Sequence, residues 1–265
     1  MKTRLTTGII LGSSAICLIT MAPPWATYLM VQIAILIAAN ELFKMLLGDD
    51  GLIRDRLVGV AGVGGLVSLI WFAPHYLAAA ALVIPILMLS TVLYSPGEVS
   101  VMGKRATALL GGFAYLAPLG GSMIAILAHK QGGPLFLLLM LGAVFSGDTG
   151  AYFSGKFLGN AKLYEKISPK KTWAGAIGGL VSSVGGLFLF SHLLNLDVST
   201  GDCVILGVGI AVLEQTGDLA ESLFKRAHNI KDSGSILPGH GGMMDRIDGV
   251  LFAAPLVWIW LEYML

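Results

Sequence analysis

Leu5–Asn40 reads LTTGIILGSSAICLITMAPPWATYLMVQIAILIAAN, a run without a single Asp, Glu, Lys or Arg. A helix needs about 20 mostly apolar residues to cross the hydrocarbon core of a bilayer. The run is long enough for two such helices, and Pro23-Pro24 divides it where the chain would turn. Outward from there the pattern repeats. Leu57–Gly97 is equally free of charge and breaks at Pro74-His75, giving two more spans. Ala106–Ala128, Pro134–Phe153, Trp173–Leu194, Cys203–Leu223 and Gly249–Leu265 supply one each. The expectation is an all-α, polytopic integral membrane protein of nine transmembrane helices.

Composition agrees. Hydrophobic residues make up 55% of the 265 and charged residues 12%, where soluble domains carry about 25% charged residues. Mean hydropathy is +0.80. So little charge cannot cover a water-facing surface, which excludes a soluble globular enzyme, disorder and a disulfide scaffold. The 17 Lys and Arg nearly balance the 16 Asp and Glu, so net charge offers no case for nucleic acid as a partner. Cys17 and Cys203 lie far apart in apolar stretches and read as small buried hydrophobes. Lys2 and Arg4 precede an apolar run as in a signal peptide. No small-x-small cleavage site comes before Pro23, so an uncleaved first helix is expected.

Orientation follows from the basic residues, which favour the cytoplasmic side. With the N-terminus inside, segments 1–4, 44–56, 95–105, 154–172 and 224–248 face the cytoplasm and hold every Lys and Arg except Lys130. The C-terminus is then outside. The 35 glycines are nearly twice the usual share of about 7%, and Gly175, Gly179, Ser182 and Gly186 form a small-residue stripe at helical spacing, a packing signal.

Three clusters place ionisable residues where a membrane makes them costly and usually functional. The first is Ser146-Gly-Asp148-Thr-Gly-Ala-Tyr152, running on to Lys156. The second is Glu214, Asp218, Glu221 and Lys225, whose spacing puts all four on one helical face. The third runs from Pro238 through His240, Asp245 and Arg246 to Asp248. All three fall on the inner side, with the basic stretch Ser168-Pro-Lys170-Lys171-Thr172. Oxygen-only donors favour a hard ion such as Mg²⁺, while lysines and a glycine-rich turn suit phosphates. The combination implies a metal–polyphosphate complex, hence phosphoryl or nucleotidyl transfer on a lipid. Blander roles exist for single members. Glu221 and Lys225 make an i, i+4 ion pair, Lys162 and Lys166 are headgroup anchors, and Glu41 snorkels at the end of its span.

The stretch from Ser222 to Asp248, SLFKRAHNIKDSGSILPGHGGMMDRID, resembles the signature of the phosphatidate cytidylyltransferases, or CDP-diacylglycerol synthases. The segments Asp148-Thr-x-Ala-Tyr-x-x-Gly-Lys156 and Ser168-Pro-Lys-Lys-Thr172 are similar to that family too. The motifs cover residues 146 to 248, which divides the chain into helices without a recognised motif (1–128) and a motif-bearing transmembrane region (129–265). One departure is Glu214 before Gln215, an extra carboxylate on the presumed site face. The resemblance implies CTP + phosphatidate → CDP-diacylglycerol + pyrophosphate. It also implies dependence on Mg²⁺ with a second cation such as K⁺ left open, a homodimer, and a bacterial inner membrane with the site facing the cytoplasm.

Under that reading Asp218 and Asp245 are the leading metal ligands and Asp148, Glu221 and Asp248 the further candidates. Lys225, Arg226, His240 and Arg246 join Asp218 and Asp245 as the catalytic set. Lys156, Ser168, Lys170, Lys171, Thr172, Ser222, Lys231, Asp232 and the turn Gly239, Gly241 and Gly242 are the expected contacts to CTP or the lipid phosphate. Two other readings compete: a CTP-dependent polyprenol kinase or ether-lipid CTP transferase, and a cation-coupled transporter. Transporter sites lie near the bilayer midplane, whereas these acids cluster toward one face beside phosphate-type motifs.

Overall fold

The structure, a computed structural model, describes residues 2–236 and 241–264, with side chains over 12–236 and 241–263. His240 and Gly239 lie outside the described residues. Nine α-helices follow in chain order among those described: α1 (Lys2–Met21), α2 (Pro24–Leu47), α3 (Ile53–Phe72), α4 (Leu77–Leu93), α5 (Val99–Ala128), α6 (Gly133–Leu158), α7 (Trp173–Leu193), α8 (Thr200–Ala227) and α9 (Met244–Met264). Seven of them, α2 to α8, are long and apolar enough to cross a membrane. The chain is an all-α polytopic membrane protein, with the helices in the order that its charge-free intervals require.

The helix starts are set locally. Pro24 occupies the first turn of α2, where its fixed φ is already helical and its missing N–H costs nothing. Thr172 and Ser199 cap α7 and α8 through their side-chain oxygens, each satisfying one otherwise orphaned N–H. Several helices overshoot the charge-free intervals: α5 begins at Val99, α6 reaches Leu158 and α8 continues to Ala227. Flanking charges end a membrane span but need not end a helix. The sequence reading also lacked a feature present here, a short antiparallel hairpin of β1 (Lys162–Tyr164) and β2 (Ser168–Thr172) that pairs Lys162 with Thr172 and Tyr164 with Ser168.

Lipid is as apolar as leucine, so these helices associate by close packing rather than by water exclusion. Phe43 of α2 shows how. A Cβ at Gly59 of α3 would sit 2.7 Å from its ring and one at Gly112 of α5 2.5 Å, so glycine at both positions makes the slot that the ring fills. The α6–α7 seam is closer still. A Cβ at Gly150 would come 2.8 Å from the Gly178 carbonyl, and one at Gly186 3.3 Å from that of Gly142. The small-residue stripe on α7 therefore meets a matching stripe on α6.

The basic segments meet at one end of the bundle. Lys104 pairs with Asp50, Arg105 with Asp55 and Lys171 with Asp218, while Glu41 of α2 bonds to the start of α9. The α2–α3 turn, the start of α5, the hairpin and the α8–α9 loop thus form one polar end.

Candidate active site

At that end α8 presents Glu214, Asp218, Glu221 and Lys225 along one face, its helix unbroken through all four. Each acid meets a group from another element. Lys171, the residue of β2 just before the α7 cap, places Nζ 2.8 Å from Asp218 Oδ2 and 3.4 Å from the Gln215 carbonyl. Lys225 Nζ donates to Glu221 Oε2 and to Asp245 Oδ1, both at 2.6 Å, tying α8 to α9. The Ser222 hydroxyl lies 3.4 Å from Asp218 Oδ1.

Two further contacts join acid to acid. Asp148 of α6 faces Glu214, and Asp248 of α9 faces Glu221. Glu214 is buried, its Oε2 2.9 Å from where a Cβ of Gly147 would sit and its Cγ 2.8 Å from that of Gly249. Two glycines on neighbouring helices thus make the slot for the carboxylate that departs from the family pattern. Gly217, one turn on, lets the α9 backbone come close, since a Cβ there would meet the Asp248 main-chain carbonyl at 2.7 Å.

Asp245 is the most heavily bonded acid. Besides Lys225 on Oδ1, its Oδ2 accepts from the backbone N–H groups of Ser233 and Gly242, both at 2.9 Å, and sits 3.0 Å from the Ser233 hydroxyl. It thereby closes the α8–α9 loop onto the first turn of α9. The Glu221–Lys225 pair exists as its spacing requires, but within a three-way link rather than as an isolated surface pair.

Other expected contacts are dispersed. Thr172 is buried and its Oγ1 accepts from the Gly175 N–H at 3.1 Å, so its hydroxyl caps a helix. Lys156 points along α6 toward the rings of Tyr152 and Phe157, 5.7 and 5.6 Å from their centroids. Arg226 donates to the Ile230 carbonyl at 3.2 Å, bracing the loop. Lys170, Lys231 and Asp232 are exposed at the same polar end, and Ser168 is half-buried on β2. Arg246 lies within electrostatic reach of Asp148.

Three residues escaped the sequence reading. Glu41 does not snorkel: it is 6% exposed and accepts from Met243 N at 3.1 Å and Met244 N at 2.9 Å, with the Ser233 hydroxyl 3.1 Å away. Those partners lie about 200 residues down the chain, beyond any local periodicity. Ser233 is the second, set between the Glu41 and Asp245 carboxylates. Tyr115 of α5 is the third. Its ring packs on Phe224 and Phe252, and its buried hydroxyl has no hydrogen-bond partner among the described residues.

The donors here are oxygens, with no His or Cys among the described members. Glu214 Oε2 and Glu221 Oε1 are buried without a hydrogen-bond partner, and two carboxylate pairs face each other across helix boundaries. Among the described residues no three acidic, His or Cys groups are already gathered as a ready metal shell. Lysine ammoniums hold Asp218 and Asp245.

A model of the cytidylyltransferase family matches residues 2–264, nearly end to end. The chain belongs to the cytidylyltransferase family. Members similar to it include phosphatidate cytidylyltransferases from Haemophilus influenzae, 41% identical over 157 residues, and Bacillus subtilis, 40% identical over 128 residues. The first alignment covers 56% of this chain and 54% of the relative, the second 48% of each. The chain thus spans about half the length of these curated relatives. A Staphylococcus haemolyticus relative of the same name is 33% identical over 232 residues, 84% of either chain.

Proposed function

We propose that the protein transfers a cytidylyl group from CTP to phosphatidate, yielding CDP-diacylglycerol and pyrophosphate at the cytoplasmic face of a bacterial inner membrane. The observation that carries this reading is the convergence of α6, α8, α9 and the hairpin at one polar end, where Lys171 and Lys225 hold Asp218 and Asp245. Family membership supports the cytidylyl chemistry, and the names of the relatives support the lipid acceptor.

A phosphatidate oxygen attacks the α-phosphorus of CTP, the bond to the bridging oxygen breaks, and pyrophosphate leaves. The second pKa of a phosphate monoester lies near about 6, so the nucleophile is already largely deprotonated at neutral pH. No side chain need act as a strong base. The obstacle is repulsion between two anions. Lys171 and Lys225 each lie at a carboxylate and can turn to a phosphate oxygen, lowering that repulsion where charge develops on the leaving group. Lys170, Lys231 and Arg246 add positive charge around them. The glycine-rich stretch that ends at Gly242 suits a polyphosphate, and Asp245 holds its last residue by accepting from the Gly242 N–H.

The residues that would hold Mg²⁺ are Asp218 and Asp245, with Asp148, Glu221 and Asp248 beside them. Bound there, a hard cation supplies charge neutralisation of the triphosphate. The partnerless oxygens of Glu214 and Glu221 favour a cation in this region, a second one such as K⁺ included. The same reading takes in a homodimer, checked by mass measurement of the purified protein in detergent.

The acyl chains stay in the bilayer while CTP arrives from water, and a polar end open to both meets the two needs. The test is purified protein with radiolabelled CTP, phosphatidate and Mg²⁺, scored for a cytidine-bearing lipid. Label in CDP with a newly phosphorylated lipid would replace the reading with a CTP-dependent kinase.

A further inference from the structure

The α8–α9 loop carries much of the family signature, and Ile230 and Met243 near its two ends pack on the core. A cavity of about 670 Å³ lies between α2 and this loop, lined among others by Lys44, His228, Asp232 and Ser235. Lys231, Asp232, Ser235 and Ile236 are exposed. A pair of carboxylates also fixes the loop. Asp245 gathers Ser233 and Gly242 from within the signature, as described. The other, Glu41, comes from α2 and takes both N–H groups at the entry to α9. These are among the four that a helix leaves without an internal partner, and a carboxylate there is favoured by the helix dipole as well.

We infer that Glu41 is a positioning residue for the substrate-handling loop, a cap supplied in trans to α9 by a helix outside the signature. Its approach also explains two small residues of the signature. A Cβ at Gly234 would collide with Glu41 Oε1, and one at Gly242 with Glu41 Oε2 and the Ser233 hydroxyl. Each glycine leaves room for the carboxylate to reach backbone. Gly241, with φ +82, turns the chain in the left-handed region just before this contact. Glu41 and Asp245 share Ser233 between them, 3.1 and 3.0 Å from its hydroxyl. Displacing Glu41 therefore moves the residue that Asp245 and Lys225 align.

The inference rests on the cytidylyltransferase reading for its kinetic consequence and on geometry for its structural one, and the experiment separates the two. Glu41→Gln keeps the shape but turns an N–H₂ group toward one of the N–H donors. Amide hydrogen exchange in lipid nanodiscs should accelerate at Met243 and Met244 and not along α2. The KM for CTP should rise about tenfold, the effect of losing one charge-assisted hydrogen bond, while kcat stays within about threefold. Ser233→Ala should move both quantities in the same direction, and the double variant should fall short of the combined effects. Unchanged exchange at Met243 and Met244 in folded Glu41→Gln would overturn the inference. So would a general loss of protection without a change in KM, which is the mark of a packing role. If Glu41→Gln does not fold, Ser233→Ala decides by the same two measurements. If the unaltered protein makes no cytidine-bearing lipid, the proposed reaction fails and the exchange data alone judge the clamp.

Discussion

Two groups of charges share the polar end of this bundle and differ in one respect. Asp55 of α3 and Arg105 of α5 are buried against each other, 2.6 Å apart and 0% and 2% exposed, with the half-exposed Arg54 3.6 Å from the other oxygen of Asp55. One anion meets two cations, Arg105 buried and Arg54 half-exposed. Around α8 and α9, by contrast, Asp148, Glu214, Asp218, Glu221, Asp245 and Asp248 outnumber Lys171, Lys225 and Arg246, and carboxyl groups face carboxyl groups. An anion already matched by cations has no net charge left to neutralise. An acidic excess assembled from separate helices still lacks positive charge, and a cation or a cationic side chain must supply it. The first pattern suits folding and the second suits the ligand chemistry proposed above.

The sharpest way to break this contrast is to unbalance the matched pair. Arg105→Met leaves Asp55 without its buried partner and with the half-exposed Arg54 3.6 Å away, which should lower stability by about 3 kcal/mol, read as thermal or denaturant unfolding in detergent. The molecules that remain folded should turn over CTP at nearly the unaltered rate. Adding Asp55→Leu should recover most of the loss, because an apolar pair of similar volume needs no desolvation. A double variant as unstable as the single one would show that the pair does more than neutralise itself.

The acidic excess predicts the reverse. Asp218→Asn removes charge from a site that has too much of it, and its side chain is 43% exposed, so folding should be untouched. Turnover should fall by about 100-fold or more, as when a preorganised electrostatic contact is lost from a transition state. A variant that keeps substantial activity would take Asp218 off the list of ion-holding residues, and one that unfolds would move it to the Asp55 class.

What the sequence disclosed divides along the same line. The spans were readable because a bilayer imposes length and apolarity on every crossing. The α8 stripe was readable because Glu214, Asp218, Glu221 and Lys225 obey one helical period. Contacts across elements obey no period. Glu41 is paired with residues near the other end of the chain, Arg105 with an acid 50 residues earlier, and Tyr115 with rings of α8 and α9. In sequence each is an ordinary residue at a span boundary or within one. The hairpin escaped because its strands are too short to show alternation.

Thr172 tests the smallest difference between the two kinds of role, since it lies beside Lys171 in a motif that reads as phosphate-binding. Its side chain is buried, accepts from the Gly175 N–H and rests against Gly155 and Gly159. A hydroxyl so engaged starts α7 and thereby sets the direction in which Lys171 leaves β2. Thr172→Ala should cost about 1 kcal/mol, the usual value of an N-cap, and Thr172→Ser should restore most of it. The KM for CTP should stay within about twofold in the folded Ala variant, as for a group that acts on structure rather than on ligand. A KM that rises while the melting temperature holds would instead assign the hydroxyl to a phosphate. Thr172 would then belong with Asp218 rather than with Asp55, because a lost cap lowers stability whereas a lost ligand contact lowers affinity.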